Sequence, residues 1–143
     1  MGIAFPDEAH AWIRDWREQL NDSAEYAEAG QGWGQGFNGS FLFVIEADEE
    51  YDGEPAYQYV DLEDGQCLEA RAIEDPDAVD WGFAYRAGYS DWKALIQGDV
   101  GPVRGLITGR FELDGDMQKV LQYREAAMVM AENAAEVDTE FVY

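Results

Sequence analysis

Apolar positions along the chain fall into two periods, and the period changes near residue 40. From Pro6 onward, Ala9, Trp12, Ile13, Trp16, Leu20, Ala24 and Ala27 recur at three- and four-residue spacing. That spacing predicts an amphipathic helix over residues 7–29, with Asp7 as N-cap and Gly30 as its stop. Phe41-Leu42-Phe43-Val44-Ile45 is an unbroken apolar run of strand length, which predicts a strand covered on both faces. Residues 57–62 and 66–73 alternate and flank Glu63-Asp64-Gly65, a strong hairpin signal. Trp81, Phe83 and Tyr85 alternate with Gly82 and Ala84 and predict a fourth strand. Ser90 is read as the cap of a short helix carrying Trp92, Leu95 and Ile96, ended by Gly98. Ile107, Gly109, Phe111 and Leu113 alternate with polar residues and predict a half-buried fifth strand. Asp114-Gly115-Asp116 then turns the chain into a helix over residues 117–136, with Asp116 as cap. Its apolar stripe is Met117, Val120, Leu121, Arg124, Met128 and Ala131, broadened by Val129 and Met130. The tail from Thr139 to Tyr143 reads as an added edge strand or a plug on the core.

These elements form one expected domain over residues 1–143: an N-terminal helix (7–29), a sheet core (40–113) and a C-terminal helix (117–136). The glycine-rich connector of residues 30–39 contains G-x-G-x-x-G at Gly34, Gly36 and Gly39. A dinucleotide fingerprint needs a strand before the loop and a helix after it; here the order is reversed, and the loop is read as flexible, carrying Trp33 and Phe37 toward the core or the mouth of a ligand space. Asp48 to Gly53 begins like a calcium loop, but the twelfth position, where a bidentate Glu belongs, is Tyr59.

Composition narrows the function. The chain of 143 residues has 31 acidic and 9 basic side chains, a formal net charge of −22, and only two lysines, Lys93 and Lys119. Nucleic acid is excluded as a partner, because its binding rests on basic side chains displacing counterions from phosphates. Acids outnumber bases along most of the chain, a pattern that resembles haloarchaeal cytosolic proteins, whose surface repulsion is screened by concentrated salt. Five Trp, eight Tyr and seven Phe supply a core and argue against disorder. The lone Cys67 suggests a reducing compartment and reads as a small buried hydrophobe. No apolar run is long enough to span a bilayer, and no secretory signal is visible, so the expected location is cytoplasmic with no stable membrane insertion. One His, one Cys and three Ser leave no catalytic triad, no G-x-S-x-G elbow and no zinc ligand set. The expectation is a protein without catalytic residues, metal or cofactor.

Two segments carry a family resemblance. Asp91-Trp92-x-x-Leu95-Ile96-x-Gly98 and Gly109-Arg110-Phe111-x-Leu113-x-Gly115-Asp116-Met117, together with the acidic hairpin, resemble the sterol carrier protein / non-specific lipid-transfer family over roughly residues 41–121. The resemblance implies an α+β fold: a twisted, mostly antiparallel five-stranded sheet with helices packed on one face. It implies an apolar tunnel between sheet and helices that holds a lipid, fatty acyl or isoprenoid chain. The tunnel lining it implies here is Trp81, Phe83, Tyr85, Trp92, Ile96, Ile107, Phe111, Leu113, Leu121 and Met128. Gly109 is read as allowing close approach to the sheet. Arg110 stands where relatives often carry Lys. The other readings are an accessory module that presents an apolar substrate to a partner enzyme or forms a homodimer, and an enzyme in its own right, which the scarcity of His, Ser, Cys and Lys disfavours.

Overall fold

The computed structural model describes residues 2–143. In chain order its elements are β1 (Ile3–Phe5), α1 (Ala9–Asn21), α2 (Ala24–Ala29), β2 (Phe41–Glu46), β3 (Ala56–Glu63), β4 (Gln66–Ile73), a 3₁₀ turn (Pro76–Ala78), β5 (Phe83–Gly88), α3 (Tyr89–Ile96), α4 (Pro102–Ile107), β6 (Glu112–Asp114), α5 (Met117–Gln122), α6 (Arg124–Glu136) and β7 (Thr139–Phe141). Five strands form one sheet in the order β4-β3-β2-β5-β6. All its pairings are antiparallel except β2 with β5.

The unbroken apolar run of β2 sits at the centre of this sheet, so both its faces are covered. Phe41, Phe43 and Ile45 join the main core under the helices. Leu42 and Val44 face the other way, with Ala84 and the half-buried Tyr57, Ile73 and Trp81. The β3–β4 hairpin turns as its Asp-Gly demands: Asp64 and Gly65 both have positive φ, 49° and 79°. Gly65 is needed twice over, since a Cβ there would meet the Ala27 carbonyl oxygen at 2.5 Å. The glycine-rich loop does deliver an aromatic: Trp33 is buried, and its indole N–H donates to the Gly39 carbonyl at 2.8 Å.

Several expectations are corrected. The first helix begins at Ala9, and Asp7 does not cap it. Asp7 accepts a hydrogen bond from the Tyr143 hydroxyl instead. The helix also breaks before residue 24, because Ser23 accepts from the Tyr26 N–H and starts α2 as its cap. Ser90 is not the cap of α3; it lies inside the first turn and its N–H donates to Asp48 Oδ2 at 2.7 Å. Asp48 thus ties the acidic turn to α3, while its Oδ1 accepts from the Glu50 and Tyr51 N–H groups. Burial would raise this carboxyl, but the hydrogen bonds from Ser90, Glu50 and Tyr51 hold it below its ordinary range. β5 starts at Phe83, two residues later than the alternation suggests, leaving Trp81 before the strand.

The largest correction concerns residues 102–113. Pro102 to Ile107 is helical, with Gly101 as N-cap and Pro102 at its start. Gly109 (φ 80°) ends the helix, and nothing lies within 4 Å of where its Cβ would be, so it serves the turn and not a close approach. Phe111 then folds back, its N–H donating to the Gly105 carbonyl at 3.0 Å and its ring lying against Gly105. Only Glu112–Asp114 joins the sheet. The alternation of residues 107–113 is equally compatible with a helix end followed by an anchored turn.

The last helix is two helices. Asp116 caps α5 by accepting from the Gln118 N–H. Tyr123 (φ −107°, ψ 31°) then breaks the helix and turns α6 relative to the stripe read from residue 117. The terminal strand β7 pairs in parallel with β1, aligning Phe5 with Phe141, and does not extend the five-stranded sheet.

Candidate functional site

A cavity of about 80 Å³ lies between the sheet and the helices. Its floor is the helix-facing side of the sheet: Phe41 and Phe43 of β2, Gln58 of β3 and Tyr85 of β5. Cross-strand register places Gln58 and Tyr85 on either side of Phe43. Trp12 and Trp16, one turn apart on α1, wall one side, and Trp92, Leu95 and Ile96 of α3 another. The roof is α6, which presents Ala127, Met130, Ala131 and Ala134. A fully packed core would carry larger side chains there; alanines leave space above the aromatic floor. Pro102, Val103 and Leu106 of α4 close the remaining side and are half-buried, as are Ala127, Met130 and Ala131 of the roof.

Apart from Gln58, the wall is apolar because its polar side-chain atoms are paired with other groups of the protein. The Trp12 indole N–H donates to Thr139 Oγ1 (2.8 Å), that of Trp16 to the Met130 carbonyl (3.0 Å), and that of Trp92 to the Val44 carbonyl (2.8 Å). The Tyr85 hydroxyl donates to the Pro102 carbonyl at 2.7 Å. Burial pushes its phenol up, so the ring stays neutral. No Lys, Arg, His, Asp or Glu side chain lines the cavity. A smaller space of about 30 Å³ adjoins it beneath Trp33 and Tyr123, and the two share Phe41, Val120, Ala127 and Met130 as common wall.

Of the ten side chains expected to line a tunnel, Tyr85, Trp92 and Ile96 are on the cavity wall. Phe111 is buried one layer behind, stacked on Tyr85 with centroids 4.6 Å apart. Phe83 is buried against Trp33 and Phe41, at 5.0 and 5.1 Å, off the cavity. Leu113 is half-buried opposite Tyr85 at the sheet edge. Trp81 lies on the far face of the sheet with Leu42 and Val44. Leu121 is half-buried away from the space. Ile107 is 77% exposed at the end of α4, and Met128 is 54% exposed on the outer side of α6. The residues missed are chiefly Trp12, Trp16, Phe43 and the alanines of α6. The signal available was the pairing of two tryptophans at i, i+4 with a late helix rich in alanine.

Tyrosine is the one ionisable residue type on the cavity wall. The Cys67 thiol is buried away from the cavity, and burial pushes it up to about 12, so it stays protonated. Among the described residues no group of three or more His, Cys, Asp or Glu converges to hold a metal ion. No described helix is long and apolar enough to cross a membrane.

Comparison with known proteins bears on this geometry. The model of the SCP-2 sterol transfer family matches residues 19–128. The fold is similar to a crystal structure of sterol carrier protein 2, with TM-score 0.79 and 26% identity, covering 90% of this chain and 96% of that one. It is also similar to the solution structure of a conserved hypothetical protein of Thermus thermophilus described as a candidate sterol carrier protein, with TM-score 0.78 and 26% identity, covering 91% of this chain and 88% of that one. A ubiquinone synthesis protein, UbiJ-SCP2, shares the fold at 17% identity and TM-score 0.52, covering 90% and 94% of the two chains. No curated protein matches the chain.

Proposed function

Since the chain belongs to the SCP-2 sterol transfer family, we propose that it carries one apolar lipid molecule, without converting it, in the cavity between the sheet and helices α1, α3, α4 and α6. The observation that carries this reading is the wall itself: aromatic rings with their indole N–H groups paired within the protein, under an alanine roof, with no ionisable group except tyrosine. Such a wall offers shape and apolar area.

At about 80 Å³ the cavity is below the roughly 300–1,000 Å³ usual for ligand sites, so loading requires it to widen. The half-buried α4 supports access at that side: it is a six-residue helix between Gly101 and Gly109. Met130 and Val120, both in the shared wall, separate the two spaces; an unbranched methionine turns easily between rotamers, and its movement joins them. The acidic surface suits a salt-rich cytosol, in which isoprenoid chains or quinones are the candidate cargo.

A second reading, an accessory module presenting an apolar substrate to a partner enzyme, draws on the likeness in fold to the ubiquinone synthesis protein. Native mass spectrometry and organic extraction of the protein from its own host separate the readings. A carrier yields stoichiometric lipid from the isolated chain and takes up an apolar fluorophore in molar KCl. Extracts without lipid, together with no uptake, refute the carrier reading; constant co-purification with one enzyme supports the accessory one.

A further inference from the structure

Gln58 breaks the apolar pattern of the cavity wall. It lies on β3 opposite Phe43, in step with Val60 and Leu62, which are buried core residues. It is 1% exposed, so it is as deeply buried as they are. Its Nε2 donates to the Ala9 carbonyl of α1 at 3.0 Å, which determines which end of the amide is which. Its Oε1 accepts no hydrogen bond from any described residue. Nor is that oxygen sealed in: among the described residues the sealed, unpaired side-chain polar atom is Arg86 Nε, on the other face of the sheet. The open space that Gln58 borders is the cavity.

An amide oxygen held in apolar space without a donor is destabilising, and a leucine in its place would not be. A ligand that brings a donor removes the penalty. We propose that Gln58 is the specificity-determining residue of the cavity: the ligand binds hydroxyl first with its O–H donating to Gln58 Oε1, and this contact selects an uncharged long-chain alcohol over the matching ether or carboxylate. This rests on the carrier reading of the cavity and specifies its cargo. An ionised carboxylate or phosphate would set acceptor against acceptor in a cavity with no cationic side chain to balance it. A hydrocarbon or an ether would leave Oε1 unpaired.

The test is displacement of diphenylhexatriene from the delipidated full chain in molar KCl by three probes of one chain length: 1-hexadecanol, its methyl ether and hexadecanoate. The wild type is expected to prefer the alcohol to the ether by about tenfold or more, the worth of one buried hydrogen bond, and to bind the carboxylate worst. Gln58→Leu is expected to bring the alcohol-to-ether ratio close to one while keeping affinity for the ether. A wild-type ratio near one with both probes bound overturns the role of Gln58 and leaves the carrier reading standing. So does a preference that survives in Gln58→Leu. Displacement by none of the probes overturns the carrier reading and the role of Gln58 with it. The wild-type ratio decides the matter even where the variant does not fold.

Discussion

Replacing Ala131 with leucine tests whether the space beneath α6 is a genuine void and whether it is the ligand's place. Ala131 stands in the cavity roof one helical turn from Ala127. Leucine adds three carbons beyond Cβ, directed into a space of about 80 Å³. Mutational cavities cost about 24 cal/mol per Å³, so filling the whole space would contribute about 2 kcal/mol. Leucine gives up roughly 0.5–1 kcal/mol of rotamer freedom on burial, and the remaining gain is about 1 kcal/mol. For a chain of this size that raises Tm by about 4 °C. The same side chain occupies the ligand's volume, so affinity for diphenylhexatriene is expected to fall at least tenfold. Thermal melts by circular dichroism and a fluorescence titration, both in molar KCl, read the two effects. Ala135→Leu, on the exposed side of α6, is the control and should leave both near wild type. A lower Tm would mean that residue 131 faces filled space, where overpacking costs about 1–3 kcal/mol. A higher Tm with unchanged binding would mean that the ligand sits elsewhere. Either result refutes the reasoning.

Asp48→Ala removes three backbone hydrogen bonds at once and should destabilise the fold by about 1–2 kcal/mol; the Asp48 contribution is present above the ordinary carboxyl range and disappears as pH falls through its depressed folded value, so wild-type and variant melts should converge in acid. On the alkaline side, burial pushes the Cys67 thiol up to about 12 and raises the phenols of Tyr26 and Tyr85 as well. The unfolded chain ionises its thiol near 9.0, so stability is complete below that pH and should decline as pH rises toward 12, with the Tyr26 and Tyr85 phenols ionising only on unfolding; replacing each of the two with Phe and finding that the tyrosinate absorbance lost belongs to the folded protein would contradict this. The net charge of −22 predicts a cooperative melt in about 1 M KCl, where the Debye length is about 3 Å, and a clearly lower Tm in dilute buffer, where it is about 30 Å. Identical melts in the two would refute adaptation to salt.

What could be read along the chain was whatever depends on a few adjacent residues. Five apolar residues in a row placed β2 under cover on both faces, because neither face of the run carries a polar side chain to meet water. Asp64-Gly65 defined a hairpin because both residues tolerate positive φ. Asp116 capped a helix because a short carboxylate reaches the N–H two residues on. Errors arose where two structures share one pattern: residues 107–113 alternate as a strand does, yet Pro102 starts a helix and Gly109 with Phe111 folds its end back. The stripe from Met117 to Ala131 assumed an unbroken helix, and the turn at Tyr123 sent Met128 outward and Met130 inward. Gln58 shares its parity with Val60 and Leu62, so its burial was within reach of sequence, but its free oxygen was not. The cavity belongs to tertiary structure alone. It is the distance between an alanine-bearing helix and an aromatic sheet, set by the elements that hold them apart, and empty volume has no residue of its own to appear in a sequence.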